Sequence, residues 1–236
     1  PSYFPSNVKL NQQGYDDVSN ILKRSKKPLK SSEFEILAKD EDTLVLDVRE
    51  QNDFTKAFIP NSIFIGLSGG FAPWVGSVIS DINQKILLVT ETSKVEEAII
   101  RLSRVGFDNV IGYLEGGIET WINDHKSTDS IERINADQLL ELYNENQNII
   151  DVRKPGEFSS EHIENAVSLP LDFIHDNISH YPSGKLFIHC AGGYRSIIAA
   201  SILKSKGYHD LCDVIGGYNA ISKTSIPKTD FVCPNS

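Results

Sequence analysis

Cys190, Gly192, Gly193 and Arg195 lie close together in the run Leu186-Phe-Ile-His-Cys-Ala-Gly-Gly-Tyr-Arg-Ser196. Their types suit a thiolate nucleophile. The apolar, β-prone residues before Cys190 read as a strand, and residues 196–203 as a helix. A cysteine held between a strand end and a helix start meets loop N–H groups and the positive end of the helix, and both favour an anion. Arg195 adds a positive charge. This setting is expected to present an exposed, reactive thiolate.

Glycines at 192 and 193 permit φ > 0, which lets successive N–H groups turn inward around the Cys190 sulfur or one more atom attached to it. Ala191, Gly192, Gly193 and Tyr194, with Ser196 just beyond, would form the substrate-binding ring. Only residues 191–194 separate Cys190 from Arg195, so the ring suits a thiolate or a persulfide better than a bulky tetrahedral phosphate. In the expected mechanism, Cys190 attacks the outer sulfur of a donor, and the donor leaves as a thiolate or sulfite. A nucleophilic acceptor then removes the sulfur left on Cys190. No metal and no organic cofactor is needed for these steps.

The elements that position this loop follow from patterning. Strands are predicted over Asn148–Asp151, 166–169, Leu186–His189 and 211–215. Helices are predicted over 136–143, from Glu157 onward, over 172–178 and 195–206, with a turn after Gly217. Such alternation implies an α/β fold, a small parallel sheet flanked by helices on both faces. In such sheets ligands bind beyond the carboxyl ends of the strands, where Cys190 falls.

The chain repeats itself. Leu46-Asp-Val-Arg-Glu-Gln-Asn-Asp-Phe54 matches Ile150-Asp-Val-Arg-Lys-Pro-Gly-Glu-Phe158, and Ile59-Pro-Asn-Ser-Ile63 matches Ile163-Glu-Asn-Ala-Val167. Lys85-Ile-Leu-Leu-Val89 answers Lys185-Leu-Phe-Ile-His189, and Gly116-Gly117 answers Gly216-Gly217. Two copies of one domain are expected: residues 1–30 as an arm and basic linker, 31–126 as the first copy, 127–225 as the second, and 226–236 as a tail. Ser32-Glu-Phe-Glu35 has capping-box spacing and is expected to start the first copy.

Composition bounds the alternatives. The 236 residues carry a net charge of −9, which argues against a general nucleic-acid partner. No apolar run approaches the roughly 18–20 residues needed to cross a bilayer, so no membrane role is expected. Cys190, Cys212 and Cys233 are widely spaced, with neither a disulfide framework nor a metal-ligand cluster around them, and a reducing cytoplasmic home is expected. The chain contains no methionine, as expected of a fragment or a processed protein.

One copy serves to judge the other. Where the second has Cys-Ala-Gly-Gly-Tyr-Arg, the first has Thr90-Glu-Thr-Ser-Lys-Val95 and puts Glu91 where an anion would sit, so the first copy is expected to be inert. Asp47/Asp151 and Arg49/Arg153 occur in both copies and are expected to shape loops, although Arg153 could also lend positive potential to the Cys190 pocket. His162 replaces Phe58 of the first copy and is expected to be an ordinary hydrogen-bonded histidine. Strand alternation turns His189 away from the sulfur, which leaves it to orient loop backbone. Cys212 reads as a small buried hydrophobe. Gly70-Phe-Ala-Pro-Trp-Val-Gly76 is aromatic for a connection; it packs within its own domain or docks against another.

The Asp-Val-Arg motif, Glu161-His-Ile163, the loop Cys-Ala-Gly-Gly-Tyr-Arg-Ser and the closing Gly-Gly together resemble the rhodanese family of sulfurtransferases over residues 31–223. The resemblance implies two tandem rhodanese-like domains, with Cys190 as the persulfide-forming residue and residues 191–195 as its cradle. It also implies small partners: thiosulfate, glutathione persulfide or similar thiols, or cyanide as acceptor. Glu161 departs from the family's usual glycine. The opening Pro-Ser-Tyr-Phe-Pro-Ser-Asn-Val, with Phe-Ala-Pro-Trp-Val-Gly, resembles the rhodanese part of fusions to a metallo-β-lactamase-fold persulfide dioxygenase, which implies such a domain as partner in a longer protein. Two other classes stay open: a persulfide-carrying or sensing module with little turnover, and a small-oxyanion phosphatase or arsenate reductase, which the short loop disfavours.

Overall fold

The computed structural model of the protein describes residues 18–144 and 146–233. The opening Pro1–Val8 segment lies outside the described residues. The chain divides into two units, one ending at Ser130 and one beginning at Ile131.

Each unit is built on a five-stranded sheet whose strand pairs are all parallel. In the first the order is β1-β5-β4-β2-β3, from Pro28–Leu29, Val110–Leu114, Lys85–Val89, Thr43–Asp47 and Ile63–Phe64. In the second it is β6-β10-β9-β7-β8, from Glu132–Ile134, Leu211–Val214, Leu186–His189, Asn148–Asp151 and Val167–Ser168. The central strands are apolar on both faces, as parallel strands covered by helices must be. Leu29, Phe34, Leu87 and Trp121 are among the residues that make one core, and Leu139, Phe187, Ile221 and Ile226 help to make the other.

Several sequence expectations need correction. Residues 18–30 are not a linker. Val18–Ser25 is a helix that buries Ile21 and Ser25, and Pro28–Leu29 pairs with β5 as an edge strand. Its basic side chains concealed it by lying on the exposed face. The helix Ser31–Ala38 starts one residue before the expected box. The Lys30 N–H donates to the Glu33 carboxylate, whereas Glu35 pairs with Lys39 and Lys126. The first unit also runs past 126: the Trp121 indole donates to the Ser127 carbonyl, and Asp129 bridges Phe58.

The second unit repeats that last device, and this corrects the expected tail. Lys228 bridges Ile163, the Thr229 N–H donates to the His162 carbonyl, and the Val232 N–H donates to the Ser160 carbonyl. Ile226 is buried in the core. Strand β6 was not anticipated, because three residues at a sheet edge carry little pattern. The expected helix over 172–178 is broken, with a short α segment Ile174–Asn177 between two 3-10 turns. The aromatic segment forms the helix Phe71–Val78, which buries Phe71, Val75 and Val78. Among the described residues no helix is long and apolar enough to cross a membrane.

Candidate active site

Strand β9 ends at His189, and the 12-residue helix Tyr194–Ser205 begins after Gly193, so Cys190 opens the loop between them. Gly193 makes the turn into the helix with φ +103°, a conformation that a side chain would strain. Gly192 does not have a positive φ, so only one of the two glycines is used as expected. The Gly193 N–H donates to Cys190 Sγ at 3.1 Å, and the Ser196 hydroxyl lies 3.6 Å from the same sulfur.

The Gly216-Gly217 pair explains why the loop's carbonyls turn away. The N–H groups of Tyr218 and Asn219 donate to the carbonyls of Cys190 and Ala191 at 2.6 and 3.0 Å. Gly217 itself, at φ +54°, passes so close that a Cβ there would meet the Cys190 oxygen at 2.2 Å. The loop is thus held from outside by the start of helix Gly217–Ile221.

Two features of Cys190 and its loop differ from expectation. Cys190 is 1% exposed, because the loop closes over its sulfur instead of presenting it. Arg195 is not a bare cation: its guanidinium meets the Glu157 carboxylate with Nη1–Oε2 at 2.6 Å and Nη2–Oε1 at 2.8 Å. Glu157, on the helix Pro155–Ser160, was absent from the candidate residues. The only signal for it was an acidic residue conserved in type between the copies, as Asp53 and Glu157. Asp213 was also missed. It lies buried on β10 and accepts the Ser196 hydroxyl at 2.6 Å and Arg133 Nε at 2.9 Å.

The supporting residues divide. Arg153 Nε donates to both Asp151 oxygens at 3.0 and 2.8 Å, and its Nη2 donates to the Glu161 carbonyl at 2.8 Å. Arg49 does the same with Asp47 and the Ala57 carbonyl, so the shared motif braces the same turn in both units. Arg153 also stacks on the Tyr218 ring, 3.9 Å from its centre. His162 stacks on Phe158 at 3.7 Å, with Nδ1 2.8 Å from the Phe158 carbonyl, as Phe58 stacks on Phe54. His189 is buried, with Nδ1 3.4 Å from the Cys190 carbonyl. Burial lowers its pKa, which the Asp151 charge only partly opposes, so the ring is neutral. Cys212 is core, its thiol pushed up to about 12 by burial.

The first unit replaces this site with a cavity of about 330 Å³ whose lining includes Glu50, Glu91, Lys94, Glu97 and Arg101. Lys94 and Arg101 are both paired with Glu97 there. Among the described residues no three His, Cys, Asp or Glu side chains converge as metal ligands.

Comparisons with known proteins bear on both units. The family model described as "Rhodanese-like domain" matches residues 31–124 and again 135–224. Thiosulfate sulfurtransferase 16, chloroplastic, of Arabidopsis thaliana is 33% identical over 91 residues, which is 33% of this chain and 76% of that protein. Thiosulfate sulfurtransferase GlpE of Ectopseudomonas mendocina (strain ymp) is 30% identical over 88 residues, covering 37% of this chain and 81% of the relative. A crystal structure of a rhodanese-like domain protein from Staphylococcus aureus superposes with TM-score 0.38 at 31% identity, over 41% of this chain and 96% of that one.

Proposed function

Because the chain belongs to the rhodanese-like family of sulfurtransferases, as two such domains in tandem, we propose that its second domain moves sulfane sulfur through a persulfide on Cys190. The observation that carries this reading is the Gly193 N–H aimed at the cysteine sulfur at the N-terminal end of a helix. That donor and the helix dipole favour negative charge on the sulfur.

The Cys190 thiolate attacks the outer sulfur of the donor. A new S–S bond forms as the donor's own S–S bond breaks, and the donor departs with the electron pair, as sulfite from thiosulfate or as a thiolate from a persulfide such as glutathione persulfide. The outer sulfur, now the negative end of Cys190-S-S⁻, sits closer to the loop surface. Residues 191–194 and Ser196 surround it, and Arg195, oriented by Glu157, faces its charge. An acceptor thiol or cyanide then takes that sulfur and returns the Cys190 thiolate. Asp151, Arg153, His162 and His189 serve as the frame. The thiosulfate names of the relatives support thiosulfate as one donor. The likeness of the opening segment and of residues 71–76 supports a metallo-β-lactamase-fold domain as a partner that would supply or consume the persulfide.

Burial of Cys190 favours a second reading, a module that shelters a persulfide for a partner and turns over slowly by itself. One experiment addresses both. The full chain is incubated with thiosulfate or glutathione persulfide and weighed intact. One added sulfur atom on the wild type that is missing from Cys190→Ser is the expected result, and equal loading of both proteins would overturn the proposal. Repeated turnover with cyanide or a thiol then selects the enzyme over the carrier.

A further inference from the structure

Beneath the loop lies a buried acid for which sulfur transfer, as described, has no use. Asp213 is 0% exposed on β10, with one oxygen accepting Arg133 Nε at 2.9 Å and the other accepting the Ser196 hydroxyl at 2.6 Å. Ser196 Oγ is in turn 3.6 Å from Cys190 Sγ, and Cys190 and Ser196 are both buried. Arg133, Asp213, Ser196 and Cys190 therefore form an unbroken line of hydrogen-bonding groups from the sheet edge to the sulfur.

The fold itself does not require this line. Asp213 pairs in register with Arg133, and in the first domain the corresponding pair is Tyr113 with Pro28. Glu96 and Thr90 stand there in place of Ser196 and Cys190. A carboxylate is costly to bury even when paired, and apolar residues do the same structural work more cheaply. At the register pair the first domain has Tyr113 and Pro28 instead of an ion pair, and it has no cysteine in its loop; the second has both the cysteine and the acid.

A thiol must lose its proton before it can attack, and this one has almost no contact with solvent. Resting on the reading of Cys190 as the nucleophile, we propose that Ser196 accepts the Cys190 thiol proton while passing its own to Asp213, which keeps that proton while the thiolate is in use. The S–H bond breaks as a new Oγ–H bond forms; the old Oγ–H bond breaks as an Oδ1–H bond forms. One negative charge moves from Asp213 to Cys190, and no electrons are gained or lost. The reverse transfer returns the enzyme to rest. Ser196 touches the reacting atom, and Asp213 is a positioning residue that acts through it.

The charged surroundings are consistent with this. Asp213 faces Arg133 from β6 and Ser196 from the helix Tyr194–Ser205, and its register partner on β9 is the apolar Ile188. Cys190 faces the Gly193 N–H, Ser196, and Arg195 with its partner Glu157, while His189 meets only its carbonyl. Burial raises the proton affinity of Asp213 against the opposing pull of Ser196 and Arg133, which suits a proton store.

The test is the pH profile of Cys190 alkylation by iodoacetamide in the full chain, with adducts located by mass. Asp213→Asn keeps an acceptor for Ser196 but cannot take a proton. It is expected to lower the neutral-pH rate at least tenfold and move the profile's midpoint to higher pH. Ser196→Ala should do the same, and Ser196→Thr, which retains the hydroxyl, should restore the wild-type profile. A folded Asp213→Asn protein with an unchanged profile overturns the proposal. Should Asp213→Asn fail to fold, an unchanged profile in Ser196→Ala does so alone. A merely structural Asp213 would alter melting temperature and leave the midpoint in place. Sulfur loading of the wild type is scored separately, so loss of the transfer reading is distinguishable from loss of the relay.

Discussion

Arg195 and Glu157 meet fork to fork, Nη1 on Oε2 at 2.6 Å and Nη2 on Oε1 at 2.8 Å. The Arg195 hydrogen bond holds the Glu157 carboxyl below its ordinary range, and the reciprocal bond pushes the guanidinium further up, so both stay charged at neutral pH. Glu157 is itself anchored, accepting the Lys154 N–H at 3.1 Å. The Arg195 cation in the Cys190 loop is therefore an oriented one, held by Glu157 on the helix Pro155–Ser160. A lysine has the charge but not the planar fork. Arg195→Lys should slow persulfide loading at least about tenfold, the equivalent of one charge-assisted hydrogen bond of about 1.5–3 kcal/mol. The melting temperature should change little. Wild-type loading in Arg195→Lys would show that charge alone suffices.

The first domain has Thr90 where the second has Cys190, and the Thr90 hydroxyl donates to Glu91 at 3.3 Å. Nothing in that contact serves sulfur chemistry. Thr90→Ala should leave sulfur loading and turnover at wild-type values, and a clear loss would assign the first domain a part in the reaction.

Gly217 and Gly117 stand at matching places with φ +54° and +66°, but their surroundings differ. A Cβ on Gly217 would lie 2.2 Å from the Cys190 oxygen, against 3.1 Å from the Thr90 oxygen for Gly117. Gly217→Ala is expected to cost about 3 kcal/mol or more and to displace the loop, abolishing loading. Gly117→Ala should cost about 1–2 kcal/mol and spare loading. Thermal melts together with loading assays check both, and equal effects of the two substitutions would contradict the packing described.

Burial depresses the His189 pKa below 6.5, the ordinary value of an imidazole. The folded protein keeps the ring neutral, whereas the unfolded chain takes up a proton below that pH. The stability this contributes is complete above pH 6.5 and falls as the pH drops from there toward the folded-state value. One proton gives a slope of up to about 1.4 kcal/mol per pH unit. In urea unfolding between neutral and mildly acidic pH, His189→Gln should flatten this slope, and an identical slope would place the titrating group elsewhere.

Ile226, at 1% exposure, is core despite lying in a segment that reads as a tail. Ile226→Ala should destabilise the protein by about 2–4 kcal/mol, measured by urea unfolding. An unaffected midpoint would restore the reading of residues 226–233 as an appendage.

What was legible in the sequence was local or repeated. The strands Asn148–Asp151 and Leu186–His189 stand where their apolar runs put them, since buried parallel strands need nothing but such runs. The structural role of Asp151 and Arg153 followed from their recurrence in a copy that lacks the cysteine, and the hydrogen bonds of Arg49 and Arg153 agree with it. The cysteine loop was visible because its residues are contiguous. Edge strand Glu132–Ile134 and the pinned segment after Ile226 were not, because two or three residues at an edge take their structure from a distant partner.

Sequence by itself thus determined the repeat, the parallel α/β architecture and the position of Cys190 at a strand's carboxyl end. Tertiary structure alone decided that the sulfur is covered, that Arg195 is tied to Glu157 across 38 positions, and that Asp213 reaches Ser196 from 17 positions away. The physical reason is the same in each case. Backbone preference and hydrophobic pattern act between near neighbours, whereas charge pairing and burial depend on which strands and helices the folded sheet sets side by side.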